Sequence, residues 1–440
     1  MEPQVGALVM FGLSIVLILF GCHVAFALPG IALIFGVIFL GLQVTIYQFS
    51  LSAWNIISAY PFVAVPLFIF MGTLLQNSGV ADRLFKSLHT LLGPLHGGLA
   101  LAAMAIATVF AACTGISGAS VITIGLLAMP VMLHFKYKKE LIAGTICAGG
   151  GLGVIIPPSI VLILYGPNAG ISIASLFTAA IIPGAILALM YLLYIFIGCR
   201  IKPEWGPPLP PEERKKASMG HIIRMIAIDL VPAAFLILAV LGAIMFGVAA
   251  PTEAASLGAV GAVIICAAYG RLNWSSFKSS ILDSMRITAM VVFIAFGAKI
   301  FTNVFLSLGG GKVIGSAFLA LETSATVTIV LMLLLNFVLG MLMDWIGLLF
   351  ILVPVYVPII KSLGVDPIWF GILFCITLQI SYMTPPFAYS VFYLKGIAPP
   401  NVTLGDMYRG AIPFVIIQVI AMLLFLIFPE LSLWLPSIAK

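Results

Sequence analysis

Gly149-Gly150-Gly151-Leu152-Gly153-Val154-Ile155-Ile156-Pro157-Pro158-Ser159 interrupts an apolar run that is otherwise long enough to cross a membrane. Glycine loosens a helix, and paired prolines remove amide donors and clash with the preceding turn. A helix therefore stops and restarts here. Unwound backbone at membrane depth is tolerated only where it is buried in protein or lines a cavity. The event recurs: Pro157-Pro158 and Pro385-Pro386 lie 228 residues apart, as do Pro130 and Pro358, and Tyr165 and Tyr393. Phe68-Ile69-x-x-Gly72 returns as Phe293-Ile294-x-x-Gly297 after 225 residues, and Ile182-Pro183 returns as Ile412-Pro413 after 230. Chance supplies one such coincidence, not a run of them in register, so the chain is read as two repeats.

Composition sets the solvent around both repeats. The 440 residues are 63% hydrophobic and 8% charged, with a mean hydropathy of +1.26. Soluble domains carry roughly 25% charged residues. Backbone groups in lipid are satisfied within helices or closed barrels. A barrel strand alternates apolar and polar residues, whereas Val5–Phe20 and Met225–Val248 are almost unbroken apolar runs. Such runs match the ~20 residues that span the hydrocarbon core. The first is read as a span and not a signal peptide, because Glu2 is the only charge before it and no small-residue cleavage site ends it cleanly. The six cysteines lie in or beside apolar segments without a CxxC pair and read as small buried hydrophobes.

Sixteen of the 20 Lys and Arg fall in a few groups: Arg83 and Lys86; Lys136, Lys138 and Lys139; Arg200 to Arg224; Arg271, Lys278 and Arg286; Lys395 and Arg409. Placing these loops in the cytoplasm satisfies the positive-inside rule. The net charge of +6 is thereby explained by orientation and gives no reason to invoke nucleic acid. Under this constraint residues 1–199 thread as spans at 5–20, 26–46 and 60–78, a re-entrant hairpin at 97–135, a broken span at 141–165 and a span at 171–198. The hairpin turns at Thr114–Ser120. A Pro- and charge-rich linker, 200–223, follows as a stiff solvated tether. Residues 224–440 repeat the plan: spans at 224–247, 252–270 and 287–307, a hairpin at 322–362 turning near Asp344, a broken span at 367–395 and a span at 405–428. Five crossings per half is an odd number, so the halves are inverted relative to each other and both termini are periplasmic. The expected fold is an all-α polytopic membrane protein with two inverted repeats whose broken helices meet near the midplane, as in secondary transporters.

The breaks are where chemistry is expected. Exposed carbonyls suit a hard cation such as sodium, and half-helix N-termini suit a carboxylate. Ser117, Ser120 and Ser159 add hydroxyls. Asp344 is an acid in an apolar region, which reads as a functional group or as the cap of a helix start, and both readings are compatible. Lys299 reads as a counter-charge to an anionic substrate or, with more weight, as a structural cation. Glu253 reads as a helix cap and His23 as structural. There is no GxxxxGK[ST], HExxH or Cys/His cluster, so neither ATP hydrolysis nor metalloprotease or redox chemistry is expected, and the chain is not read as an enzyme.

At Pro66-Leu-Phe-Ile-Phe-Met-Gly72, Gly115-Ile-Ser-Gly-Ala-Ser120, Gly150–Ser159, Pro251-Thr-Glu-Ala254 and Thr384-Pro-Pro386 the chain resembles the large membrane subunit of TRAP transporters, the DctM type. The resemblance runs over essentially the whole chain. It implies an elevator-type transporter of the bacterial inner membrane that imports an organic acid, often a C4-dicarboxylate, with sodium as coupling ion and no other cofactor. It implies two partners, a small four-helix membrane subunit and a periplasmic substrate-binding protein. Sodium ligands are implied at Ser117, Gly118 and Ser120, at Gly153 and Pro157, at Asp344 and Gly347, and at Thr384 and Pro385. Ser159, Asp344, Lys299 and Phe387 are the substrate candidates. Phe387 departs from the glycine that many members carry there, which reshapes the substrate cavity. The competing reading is a stand-alone carboxylate or ion transporter of related fold.

Overall fold

The computed structural model describes residues 2–77, 79–210, 227–228, 231–320 and 323–438. The described residues are helical, without strands. In the first half α1 (Pro3–Leu19), α2 (Val24–Leu40) and α3 (Leu42–Ile57) lead through a short 3-10 turn into α4 (Ala64–Asn77), then α5 (Val80–Leu92). The hairpin is α6 (Gly98–Thr114) and α7 (Ser117–His134), the broken helix is α8 (Lys139–Gly151) and α9 (Ile160–Ala169), and α10 (Ile173–Ile201) closes the half. In the second half α11 (Val231–Met245) and α12 (Pro251–Ala268) precede the long α13 (Trp274–Ser307) and the short α14 (Gly310–Leu319). Hairpin α15 (Ala325–Gly340) and α16 (Trp345–Ser362), broken helix α17 (Pro367–Ser381) and α18 (Tyr389–Lys395), and α19 (Leu404–Ile427) follow, with α20 (Glu430–Ile438) at the end. Among the described residues, seven helical stretches are long and apolar enough to cross a membrane.

The repeat is legible in this order, hairpin for hairpin and break for break. The structure also corrects the threading. The span expected at 26–46 stops at Leu40, because Gly41 adopts a φ of +86° and starts a new helix. That helix, α3, is polar enough to dock sideways: Asn303 donates to Ser52 at 2.9 Å and Gln48 to Ser307 at 3.1 Å. Together α3 and α4 are the counterpart of the single 34-residue α13. The expected loop at 80–96 instead holds α5, an amphipathic helix that buries Val80, Ala81, Leu84 and Phe85 while Asp82 and Lys86 stay exposed. Its counterpart α14 was also missed. The linker is not wholly a free tether. Gly97 N–H donates to Gly206 O at 2.8 Å, Lys138 N–H to Trp205 O at 3.0 Å and Leu209 N–H to Gly93 O at 2.9 Å, so Pro203–Leu209 straps the hairpin base. Linker residues 211–226 lie outside the described residues. Cys22 is exposed, against expectation, while the other five cysteines are buried and form no disulfide.

Packing gathers these helices into two bodies. One is built on α13, against α2, α3 and α4, with α12 against α4. The other is built on α8, against α6, α7 and α19, with the hairpins and breaks around it. There α8 and α19 touch backbone to backbone. A Cβ on Gly144 would sit 2.2 Å from Gly410 O, and one on Gly410 2.1 Å from Glu140 O. Small residues give this approach in lipid, where the hydrophobic effect does not hold helices together. The bodies meet chiefly where α13 crosses α16 and α4 meets α6.

Candidate functional site

The hairpin tips are shaped by local hydrogen bonding. In the first, Gly115 turns the chain with φ +61°, and Thr114 Oγ1 and Ser120 Oγ lie 2.8 Å apart across the turn. Thr114 also donates to Phe110 O at 3.0 Å. The residue before α7 is Ile116, which cannot cap, so the first amides of α7 have no side-chain acceptor. In the second tip Asp344 holds the equivalent place, 228 residues later, and its Oδ2 accepts from Ile346 N–H at 3.0 Å. Hence Asp344 does cap α16. In the same way Glu253 accepts from Ala250 N–H at 2.8 Å, and His23 accepts from Ala25 N–H at 3.3 Å, so both read as caps.

Both tips open onto one cavity of about 70 Å³ at the seam between the two bodies. Gly115 to Gly118 line it from the first hairpin, and Asp344 and Trp345 from the second. Val154 and Ile160 reach it from the first break, while Tyr382, Tyr389 and Tyr393 reach it from the second. Ile287, Met290 and Val291 of α13 form the wall contributed by the other body. Ser117 Oγ and Tyr382 Oη are buried there without a hydrogen-bond partner. A buried hydroxyl left unpaired costs about 1–3 kcal/mol, so a ligand that satisfies it recovers that. Oxygen donors around a single carboxylate suit a hard cation, and uncapped helix amides suit an anion. Among the described residues no three His, Cys, Asp or Glu side chains converge as a soft-metal site would require.

The expected site residues divide. Ser117, Gly118 and Asp344 line the cavity. A Cβ on Gly118 would fall 2.9 Å from the Tyr393 ring, so only glycine lets hairpin and break meet here. Ser120 and Gly153 lie just behind, buried under the first tip, with Pro157 buried in its break. Ser159 turns away, its hydroxyl donating to Val154 O at 2.6 Å across the break. Thr384 donates to Ile380 O at 2.8 Å, and Pro385 is exposed at the rim of the second break. Phe387 stacks on Tyr389 at 6.2 Å and does not itself line the cavity. Gly347 packs on Val24 and Leu28. Lys299 lies one turn before Asn303 on α13 and does not line the cavity.

The three tyrosines were not singled out from sequence. Their signal was present: Tyr382 precedes the second Pro-Pro pair, and Tyr389 and Tyr393 follow it one helical turn apart.

Comparison with known proteins identifies the family and the fold. The family described as "Tripartite ATP-independent periplasmic transporter, DctM component" matches residues 11–431. The C4-dicarboxylate TRAP transporter large permease protein DctM of Pseudomonas aeruginosa is 30% identical over 386 residues, 86% of each chain. The isethionate TRAP transporter permease protein DctMQ of Oleidesulfovibrio alaskensis is 29% identical over 95% of this chain and 66% of its own length. The crystal structure of the Alcanivorax borkumensis YdaH transporter superposes with a TM-score of 0.63, covering 96% of this chain and 98% of that one at 15% identity, a likeness of fold alone.

Proposed function

The chain belongs to the DctM component family of tripartite ATP-independent periplasmic transporters, and from that premise we propose that it carries an organic acid across the bacterial inner membrane together with sodium. The observation that carries this reading is the shared cavity: Asp344, with the unpartnered hydroxyls of Ser117 and Tyr382, at the meeting of both hairpins and both breaks. Sodium is held by Asp344, Ser117 and the carbonyls of the tips. The zone from Gly118 to Ser120 over Gly153 and Pro157 is one ion position, and that from Asp344 to Gly347 beside Thr384 and Pro385 is another. The α7 amides and the tyrosines take the acid group of the substrate. Relatives named for a C4-dicarboxylate and for isethionate, a carboxylate and a sulfonate, support an anionic substrate as the common element.

Transport is of the elevator kind: the body of hairpins and breaks moves against the body built on α13, and the cavity lies on their seam. Two partners are proposed, a periplasmic binding protein and a small membrane subunit. The second draws support from the relative DctMQ, of whose length this chain accounts for only 66%. The basic end is cytoplasmic and the termini are periplasmic by the positive-inside rule.

The test is radiolabelled succinate and isethionate uptake into proteoliposomes holding the chain and its small subunit, with binding protein and sodium gradient each added or omitted. Uptake of one anion that requires both additions supports the proposal. Uptake by the chain alone, or without regard to sodium, replaces it with the stand-alone reading.

A further inference from the structure

A second cavity, of about 390 Å³, opens at the basic end of the α8 body. It lies where α8 and α19 begin and α10 ends. Lys138 and Arg409 reach into it, Trp205 and Tyr194 flank it, and Pro413 and Phe414 form an apolar floor. Trp205 is held in place by the strap described above, and it presents its ring to two cations, Lys138 Nζ at 5.3 Å and Lys202 Nζ at 5.0 Å. The acid that lines the cavity is Glu140, 3.7 Å from Lys138. The other nearby acid, Asp406, is occupied by Thr403, whose N–H and hydroxyl it accepts at 2.9 and 2.8 Å. Among the described residues Arg409 makes no ion pair within 4 Å, although Asp406 lies close enough to feel its charge. The pocket therefore carries an excess of positive charge at an aromatic shelf.

What lies below it decides the class of ligand. From the pocket, α10 presents Leu189, Leu193, Ile197 and Ile201 outward at four-residue spacing, and α19 presents Ile412, Ile416 and Ile420. The two helices that carry these exposed apolar ridges touch each other. A free phosphate would have no use for them. A phospholipid would lay its acyl chains along the ridges and its headgroup in the pocket. Basic pockets between transmembrane helices, set at the headgroup level with an aromatic rim, bind anionic lipid headgroups.

We infer that this pocket binds the headgroup of an anionic phospholipid, with Lys138 and Arg409 on the phosphate and Trp205 beneath the glycerol backbone. The bound lipid ties the starts of α8 and α19 to the strap.

The test is native mass spectrometry of the purified full chain in neutral detergent, titrated with phosphatidylglycerol, phosphatidylcholine or inorganic phosphate. Phosphatidylglycerol is expected to bind at least about tenfold more tightly than phosphatidylcholine, and Lys138→Gln/Arg409→Gln to abolish that preference. Lys278→Gln/Arg286→Gln, at another basic group, should leave it intact. Arg409→Gln alone, at an exposed side chain, should weaken the preference without touching the fold. Lys138→Arg/Arg409→Lys should restore it. Equal binding of the two lipids by the unaltered chain, or full retention by the double Gln variant, overturns the inference. Displacement of phosphatidylglycerol by inorganic phosphate at comparable concentration also overturns it, in favour of a simple anion site.

Discussion

The two helix breaks carry the same Pro-Pro pair in register, and each second proline follows a cis bond, yet one is closed and the other open. Across the first break, Pro157 and Pro158 are buried, Ser159 returns its hydroxyl to Val154 O, and the hairpin tip sits on top, with Gly115 O 3.5 Å from Ile160 N. At the second, Pro385 and Pro386 are exposed, and Phe387 stands where the repeat places Ser159. Phenylalanine cannot satisfy a carbonyl, and its ring goes to Tyr389 instead. Ala388 then takes a left-handed φ of +33°, which a side chain rarely adopts. The tyrosines show the same divergence. Tyr165 is buried and donates to Pro367 O at 3.3 Å, whereas its counterpart Tyr393 lines the cavity. Two nearly matched sequences therefore give one locked and one accessible break.

The comparison can be broken or sharpened by substitution. The largest effect is expected for Asp344→Asn. Asparagine caps a helix about as well as aspartate, so the fold should survive while the charge is lost. Sodium-driven uptake should drop about 100-fold, the upper range for a hydrogen-bonded charge. Unchanged uptake in proteoliposomes would leave Asp344 as a cap only. Next comes Gly115→Ala. Its Cβ would meet Pro158 O at 2.7 Å from a left-handed backbone, so a loss of about 3 kcal/mol is expected in chemical denaturation. A glycine near the second tip, Gly340→Ala, sits on a helical backbone and meets the Ser381 side chain, whose hydroxyl can turn away, and should cost about 1 kcal/mol. Equal losses would erase the distinction between a locked and an accessible break. Ser159→Ala leaves the Val154 carbonyl unpaired and should cost about 1–2 kcal/mol. Smallest of all, Lys299→Met should hold uptake within about twofold, since isolated changes away from a site are nearly neutral. A collapse of uptake in that variant would return Lys299 to the substrate path.

Much of this was readable in advance. Proline pairs, glycine runs and matched spacings located both hairpins and both breaks, because backbone restrictions at proline and glycine are local and need no neighbour to act. Ser117, Gly118 and Asp344 were legible for the same reason, as polar or small residues at helix interruptions. The helices α3, α5 and α14 were not. They are short or amphipathic and owe their form to docking on α13 and at the ends of the helix bundle, which no periodicity of spanning segments reveals.

The sequence by itself determined that the chain lives in lipid, that it is helical, that it is doubled, and where its backbone must break. Those follow from composition and from the covalent limits of single residues. Only the tertiary structure decided that Asp344, Ser117 and three tyrosines, drawn from 117 to 393, share one cavity, that Ser159 and Lys299 turn away from it, and that one break is sealed while its twin is open. Those are matters of which side chain reaches which partner across helices far apart in the chain, and they depend on packing between the repeats, not on the pattern within either.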